Sequence, residues 1–332
     1  MKIIITGASG FIGTNLLQHL VNHKYEVKNI DINPPRNTTH QPYWEQVDIT
    51  DLHTLTQAFV KYDPDYIIHL AARTDLDGKS LEDYKSNTIG VYNTLKAAES
   101  CTRLRKILIT SSMLVCRAGY IPTHFRDYCP PNNYGISKVE TENIVWKNKP
   151  QCDWAILRPT SIWGPWFEQP YRNFFDMVRH RLYFHIADTT CTKTFGYIGN
   201  TTYQIEQILI NDTTDETNKV FYLGDNPPMN IRQWADQIAA QCNHKNPTIP
   251  YPIVKFAAYF GDFLLKFGIH PPMTSFRLSN MSTDNILNLD NTYQIAPNPP
   301  YSQIQGIKET LSWMQYPAPN QLATLTRISE SK

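Results

Sequence analysis

The sequence predicts an α/β protein: a doubly wound parallel sheet, followed by a smaller, mixed α/β second half. Three observations carry this. Short apolar runs of strand character alternate with amphipathic runs of helical character through the first half. The first such run, Lys2–Thr6, leads straight into Gly7-x-x-Gly10-x-x-Gly13 and then into a helical pattern. The second half is richer in Pro, Asn and Thr and less regular, although helical and strand patterns persist.

The elements follow in order. Lys2–Thr6 (KIIIT) is apolar on successive residues, as a strand covered on both faces should be. In the segment after Gly10, Phe11, Ile12, Leu16, Leu17, Leu20 and Val21 share one helical face. Glu26–Asp31 reads as a second strand that ends in a carboxylate. Further strands are expected at Tyr66–Leu70, Lys106–Thr110 and Trp154–Arg158, with helices over Leu52–Tyr62, Ser80–Ser100 and Tyr134–Lys149 between them. Later come a short strand, Lys219–Leu223, and helices at Met229–Cys242 and Ile304–Met314. The expected division is residues 1–165 and 166–332, with part of the second segment returning to the first sheet. The last dozen residues carry little pattern and are expected to fray.

Composition excludes several function classes. A net charge of +1, with both signs spread along 332 residues, gives no surface for nucleic acid or another polyanion. The six cysteines form no CxxC pair, and their spacing suits neither zinc nor a disulfide framework, so reduced thiols in a cytoplasm are expected. The histidines look scattered, and no metal is expected. A strand is expected to begin at residue 2, and no signal peptide is expected. The longest apolar stretch, Ile253–Ile269, is interrupted by Lys255, Asp262 and Lys266. It reads as a core or surface helix rather than a membrane attachment.

The chemistry begins at the glycines. A strand ends, the chain turns on a residue without Cβ, and a helix opens with its N–H groups and positive dipole end facing the turn. That geometry cradles a dinucleotide pyrophosphate, which makes a Rossmann-type site. Asp31 stands 18 residues beyond Gly13, where a carboxylate accepts hydrogen bonds from the adenosine ribose hydroxyls and repels a 2′-phosphate. NAD is therefore expected rather than NADP, although Arg36 is nearby. Ligands bind at the carboxyl ends of such strands. One strand ends in His69-Leu70-Ala71-Ala72, small residues against which a cofactor could lie. Another ends in Thr110-Ser111-Ser112, and Tyr134-Gly-Ile-Ser-Lys138 follows 22 residues later. Tyr and Lys at i and i+4 share a helix face. The ammonium of Lys138 would lower the pKa of Tyr134, the phenol would exchange a proton with a substrate hydroxyl, and Ser112 would orient the same oxygen. A second Tyr-x-x-x-Lys, Tyr92 to Lys96, lies within the preceding helix and reads as a packing tyrosine with a solvated lysine.

With these residues in place, the chain resembles an extended short-chain dehydrogenase/reductase. More narrowly, it resembles the NAD-dependent nucleotide-sugar epimerase/dehydratase family of UDP-glucose 4-epimerase type. TGASGFIG, Asp48-Ile49, His69-Leu-Ala-Ala72, Asn87, the Ser112/Tyr134/Lys138 set and Leu157-Arg-Pro-Thr-Ser-Ile-Trp-Gly-Pro165 match its motifs, and Lys193–Asn200 and Val220–Gly224 match more loosely. The resemblance implies a cofactor site of Gly7, Gly10, Phe11, Ile12, Gly13, Asp31, Ile32, Asp48, Ile49, Leu70, Ala71, Ala72, Asn87, Tyr134, Lys138 and Pro159. It implies a substrate site of Thr74, Ser112, Met113, Tyr134, Ser161, Lys193 and Arg277, the last two gripping a nucleotide diphosphate. An alternative for Arg277 is a surface ion pair.

The implied activity is a nucleotide-sugar epimerase, at C4, for surface polysaccharide supply. The resemblance also implies a homodimer built on the Ser80–Ser100 and Tyr134–Lys149 helices. Departures from the motifs sharpen this. Met113-Leu114 stands where the dehydratases of this family carry Asp-Glu and its decarboxylases a Glu, and a thioether moves no protons. Cys116 replaces a tyrosine and reads as a packing residue. Ser161 and Lys193 replace an asparagine and an arginine that would touch the diphosphate, which argues against an ordinary UDP-sugar. A net keto-sugar reductase or hydroxyl dehydrogenase is the alternative, and a dinucleotide-bound protein without turnover is a further one.

Overall fold

The computed structural model describes residues 1–169, 171–213, 219–269 and 273–315. Its strands are β1 Lys2–Thr6, β2 Glu26–Asp31, β3 Trp44–Gln46, β4 Tyr66–His69, β5 Lys106–Thr110, β6 Asp153–Pro159, β7 Ser161–Trp163, β8 His185–Ile186, β9 Thr192–Lys193, β10 Phe195–Tyr197, β11 Val220–Leu223, β12 Met229–Asn230 and β13 Thr248–Ile249. Its α-helices are α1 Phe11–Asn22, α2 Leu52–Tyr62, α3 Lys85–Ala98, α4 Asn133–Lys147, α5 Tyr171–Arg179, α6 Ile198–Ile210, α7 Ile231–Gln241, α8 Tyr251–Leu265, α9 Ser275–Ser282, α10 Asp290–Ile295 and α11 Gln303–Gln315. The expected fraying of the last dozen residues concerns positions outside the described ones.

Two compact units divide the chain. One comprises Met1–Trp166, Gly196–Gly224 and the segment from Asn288. The other comprises Phe167–Phe195 and Asp225–Leu287. The first unit is built on a seven-stranded sheet in the order β11-β6-β5-β4-β1-β2-β3, with every pair parallel. Alternation along each strand feeds two cores. Ile4, Ile67, Ile107, Ile109 and Ile156 face Leu55 and Phe59 of α2, Val91 and Leu95 of α3 and Val145 of α4. Their neighbours Ile3, Ile5, Ile68, Leu108 and Leu157 face Leu16, Leu17 and Leu20 of α1 and Ile205, Ile208 and Leu209 of α6. The strand order reverses between β1 and β4, so a crevice opens at their carboxyl ends.

The local differences from expectation have physical causes. β3 escapes sequence reading because Trp44-Glu-Gln is three residues long and has no apolar alternation. The helix expected over Ser80–Ser100 is broken. Ser80 and Asp83 form a capping box around a 3₁₀ turn at Leu81–Tyr84, and α3 starts only at Lys85. Tyr92 is not the packing tyrosine expected: it is 41% exposed, with the Lys96 ammonium 5.9 Å from its ring centroid. The histidines are not all scattered either. His19 of α1 and His23, its C-cap, both hydrogen-bond the Glu206 carboxylate of α6, at 2.7 and 2.8 Å. These bonds pull Glu206 down to about 2 against the desolvation that opposes them. These three groups bring their ligand atoms within 4.8 Å of one another, a clustering that the spacing of the histidines in the sequence does not show.

Candidate active site

The glycine loop is shaped by backbone crowding. Gly7 has φ +82, and a Cβ there would sit 2.5 Å from the Ala71 nitrogen and 2.6 Å from its Cα. The turn after β1 therefore lies directly on the segment after β4. A Cβ on Gly13 would meet the Gly7 carbonyl oxygen at 2.4 Å, so the first turn of α1 is pressed against the same loop. Gly10 is the extended N-cap, and its N–H donates to the Gly7 carbonyl at 3.1 Å. A groove floored by backbone and closed by a helix N-terminus fits a dinucleotide pyrophosphate. Asp31 stands at the carboxyl end of β2. Its carboxylate accepts from the Ser9 N–H at 3.0 Å and the Asn33 N–H at 2.9 Å, while burial pushes its pKa up against these bonds and the Arg36 charge. Ile32 follows on the surface, and Phe11 and Ile12 form the first turn of α1. Asp48 is turned into its own loop by the Thr50 N–H and hydroxyl, both at 2.8 Å. Ile49 is core, packed where Gly90 leaves room.

Replacing Gly7 by alanine is expected to weaken NAD binding at least about tenfold. The left-handed backbone alone costs roughly 1–2 kcal/mol for a residue with Cβ, and the clash must be relieved by opening the loop. Gly10→Ala, whose Cβ meets only the Gly7 carbonyl at 3.3 Å, is expected to be the milder change. Titration calorimetry with NAD on both variants checks the order.

Ser112, Tyr134 and Lys138, the residues expected to handle the proton, follow the carboxyl end of β5 or lie in the first two turns of α4. Ser112 N-caps a 3₁₀ turn over Met113–Val115, its hydroxyl accepting from the Leu114 N–H at 3.1 Å. Pro130 and Pro131 end the preceding loop, and Asn132 then caps α4 by accepting from the Gly135 N–H at 2.9 Å. Gly135 has a role that sequence reasoning missed. A Cβ on it would lie 2.4 Å from the Leu114 carbonyl, so only glycine lets the start of α4, with Tyr134, rest on the turn that Ser112 caps. Tyr134 is buried, its ring centroid 6.1 Å from that of Tyr84. Lys138, one helical turn on, is 2% exposed and donates to the Thr110 carbonyl at 3.0 Å. Burial pulls its ammonium down to about 8, with Glu142 opposing.

Asn87 ties the surroundings together. Its amide donates to the Arg73 carbonyl and the Ser137 hydroxyl, both at 2.9 Å, and accepts from the Arg73 N–H at 2.8 Å. The segment Leu70-Ala71-Ala72-Arg73 is thereby fixed to α3 and α4. Thr74 follows it on the surface, Met113 opens the turn after Ser112, Pro159 ends β6, and Ser161 starts β7. Behind the trio lies a buried ion pair that the sequence did not suggest. Arg158 donates to both carboxylate oxygens of Glu142, at 2.8 and 2.7 Å, and the two side chains are 1% and 0% exposed.

Lys193 and Arg277 belong to the second unit. There they line one cavity of about 630 Å³, together with Arg232, Phe174, Phe195 and Trp234. The Lys193 ammonium donates to the Asn280 carbonyl at 2.7 Å, and Arg232 to the Ile186 carbonyl at 2.9 Å. Arg232 was not foreseen, because it sits in the first turn of a helix with no motif around it.

Known proteins add to this geometry. A family model for the NAD dependent epimerase/dehydratase family matches residues 3–203. The N-acetyl-alpha-D-glucosaminyl-diphospho-ditrans,octacis-undecaprenol 4-epimerase of Escherichia coli O157:H7 is 27% identical over 321 residues, covering 94% of this chain and 95% of that protein. A dTDP-glucose 4,6-dehydratase of Neisseria meningitidis serogroup B is 34% identical over 192 residues, or 50% of this chain and 54% of its own length. Among solved structures, the UDP-glucose 4-epimerase of Thermotoga maritima with UDP-glucose superposes with a TM-score of 0.72 at 18% identity, covering 95% of this chain and 99% of that one. The Bordetella bronchiseptica enzyme WbmG in complex with NAD gives 0.72 at 20% identity, covering 95% and 94%.

Proposed function

The chain belongs to the NAD-dependent epimerase/dehydratase family, and from that premise we propose that it is a 4-epimerase of a hexose carried on a diphosphate. It is an NAD-dependent enzyme of the extended short-chain dehydrogenase/reductase type, and its glycine cradle has the fit such a cofactor needs. The observation that supports the reading is that the start of α4, which carries Tyr134 and Lys138, rests on the end of β5 and the turn capped by Ser112, Gly135 against the Leu114 carbonyl and Lys138 donating to the Thr110 carbonyl, with Met113-Leu114 in place of an acid pair.

Gly7, Gly10 and Gly13 would hold the pyrophosphate, Asp31 the adenosine ribose, and Lys138 the nicotinamide ribose. Bound NAD would supply a reversible hydride acceptor for the ring carbon, the chemistry that an inversion at that centre needs. The protein's part is the proton. Tyr134 takes it from the ring hydroxyl as the carbonyl forms and gives it back as the alcohol re-forms. Lys138 stabilises the phenolate by charge, and the Ser112 hydroxyl donates to the same substrate oxygen. The thioether of Met113 and the alkyl chain of Leu114 transfer no proton, so loss of water from the sugar has no acid or base here. Arg232, Lys193 and Arg277 in the second unit are the cations suited to the diphosphate.

The exposed Ile89 and Tyr92 of α3 and Ile136 of α4 support a homodimer through these helices. Six free cysteines and the absence, among the described residues, of any helix long and apolar enough to cross a membrane agree with a cytoplasmic site of action.

The test is to incubate the purified protein with a panel of diphosphate-linked hexoses and follow them by NMR. A C4 isomer should form with no added reductant and, in deuterated water, with no deuterium on carbon. Net consumption of NADH would replace this reading with a keto-sugar reductase.

A further inference from the structure

We propose that the outer face of α8 docks on an anionic phospholipid bilayer, so that the substrate diphosphate is one anchored to the membrane by a polyprenyl chain. This rests on the diphosphate-sugar reading above and names its carrier.

At 100° per residue α8 carries three stripes. Val254, Ala258 and Gly261 are buried, and the first two pack with Ile186, Leu278, Met273 and Met281. Ile253, Phe256, Phe260, Phe263 and, just beyond the helix end, Phe267 form a second stripe on the far side, and each is 52% to 74% exposed. Phe276 on α9 is 73% exposed. Lys255, Tyr259, Asp262 and Lys266 form the third stripe, between the other two.

Five bulky apolar side chains held outward along one helix are not the surface of an ordinary water-exposed helix. The charges name the occupant. Along α8 and the residues just beyond it the described side chains include two cations, Lys255 and Lys266, against the single carboxylate of Asp262. That carboxylate is engaged in accepting from the Ser275 N–H at 3.0 Å. An aromatic stripe edged by lysines suits the headgroup boundary of an anionic bilayer, where phenyl rings enter the acyl region and ammonium groups meet phosphates. With fifteen residues, α8 lies on such a surface and does not cross it.

The same helix pair reaches the cation-bearing cavity. Ile186, Met273 and Met281, against which α8 packs, line that cavity, and α9 turns Phe276 outward while its next residue, Arg277, lines the cavity. A lipid diphosphate needs this juxtaposition: a bilayer contact beside cationic groups and an apolar, aromatic wall. The conclusion reverses the expectation that no membrane is involved.

The test is flotation of the NAD-loaded protein with vesicles of phosphatidylglycerol and phosphatidylethanolamine, and separately with phosphatidylcholine vesicles. The wild type should float with the anionic vesicles. Phe256→Ser/Phe260→Ser/Phe263→Ser should lower the bound fraction by at least about tenfold with NAD binding intact, and should slow turnover of a vesicle-embedded polyprenyl diphosphate hexose but not of a soluble one. Lys255→Glu/Lys266→Glu should weaken binding to the anionic vesicles selectively.

Absence of the wild type from the vesicle fraction at low salt overturns the proposal. So does unchanged flotation of the triple variant, or a smaller assembly in solution with flotation unaltered, which would make the stripe a contact between protein chains. Isomerisation of a soluble UDP-hexose without vesicle binding removes this inference and leaves the epimerase reading standing. Vesicle binding without isomerisation of either carrier form removes the epimerase reading, and the carrier assignment with it, and leaves only the docking of α8 on the bilayer.

Discussion

Tyr134→Phe is expected to lower turnover by about 10²- to 10⁴-fold, the usual contribution of one positioned acid–base group, while NAD binding stays close to wild type. The substitution removes one oxygen and keeps the ring, so the packing of the buried side chain beside Tyr84 survives. What is lost is the only group in the proposed arrangement that can exchange a proton with the ring hydroxyl. The Ser112 hydroxyl, which accepts from the Leu114 N–H, can donate to the substrate oxygen but is too weak a base to take its proton, and Lys138 is directed at the Thr110 carbonyl. Lys138→Met should produce a loss of similar size, but with weakened NAD binding as well, since that side chain would serve ribose and phenol together. Steady-state kinetics on an accepted sugar, paired with calorimetry for NAD, separates the two variants. A Tyr134→Phe enzyme that turns over like the wild type would require another base.

How far the sequence discloses such a site depends on whether the determinants are local. The glycine cradle is local. Strand, turn and helix follow one another within thirteen residues, and the φ of Gly7 is a property of that turn. Asp31, at the end of the next strand, and Tyr134 with Lys138, one helical turn apart, are legible for the same reason. Six of the seven strands of the parallel sheet are legible as apolar runs alternating with helical patterns, and β3 is too short to show one.

The illegible parts depend on long-range contacts. Glu142 stands one turn after Lys138 and reads in isolation as a solvated helix carboxylate, and nothing nearby announces that Arg158, on the adjoining strand, will bury it. Gly135 reads as a weak helix former until Leu114 is known to lie against it. Lys193 and Arg277 are paired in the sequence only through the family resemblance, and it takes the fold to bring to their cavity Arg232, which no motif marks. The apolar stretch from Ile253 shows the converse difficulty: composition identifies an amphipathic helix, but only the fold decides which apolar stripe is turned inward.

Removing the Glu142 carboxylate, as in Glu142→Ala, is expected to cost about 3–5 kcal/mol of stability, because it strands a guanidinium that is 1% exposed. Four donors converge on the two carboxylate oxygens: Arg158 through Nε and Nη2, the Ser111 hydroxyl at 2.6 Å and the Tyr128 hydroxyl at 2.8 Å. Arg158 makes further hydrogen bonds to the Tyr222 hydroxyl and the Phe125 carbonyl, neither of which carries a charge to neutralise it. Replacing both partners, Glu142→Leu with Arg158→Met, removes both charges and should recover most of that loss, since a buried pair offers little over a well-packed apolar substitute. Urea unfolding of the two single variants and the double variant gives the coupling directly, and single-variant losses that simply add would refute the pairing.

The same cycle has a kinetic side. Ser111 precedes Ser112, and Glu142 lies two turns after Tyr134 on α4, so this carboxylate joins the end of β5 to the helix that carries the phenol. A double variant restored in stability but still slow would show that the pair holds Ser112 and Tyr134 in register, a function that an apolar filler cannot replace.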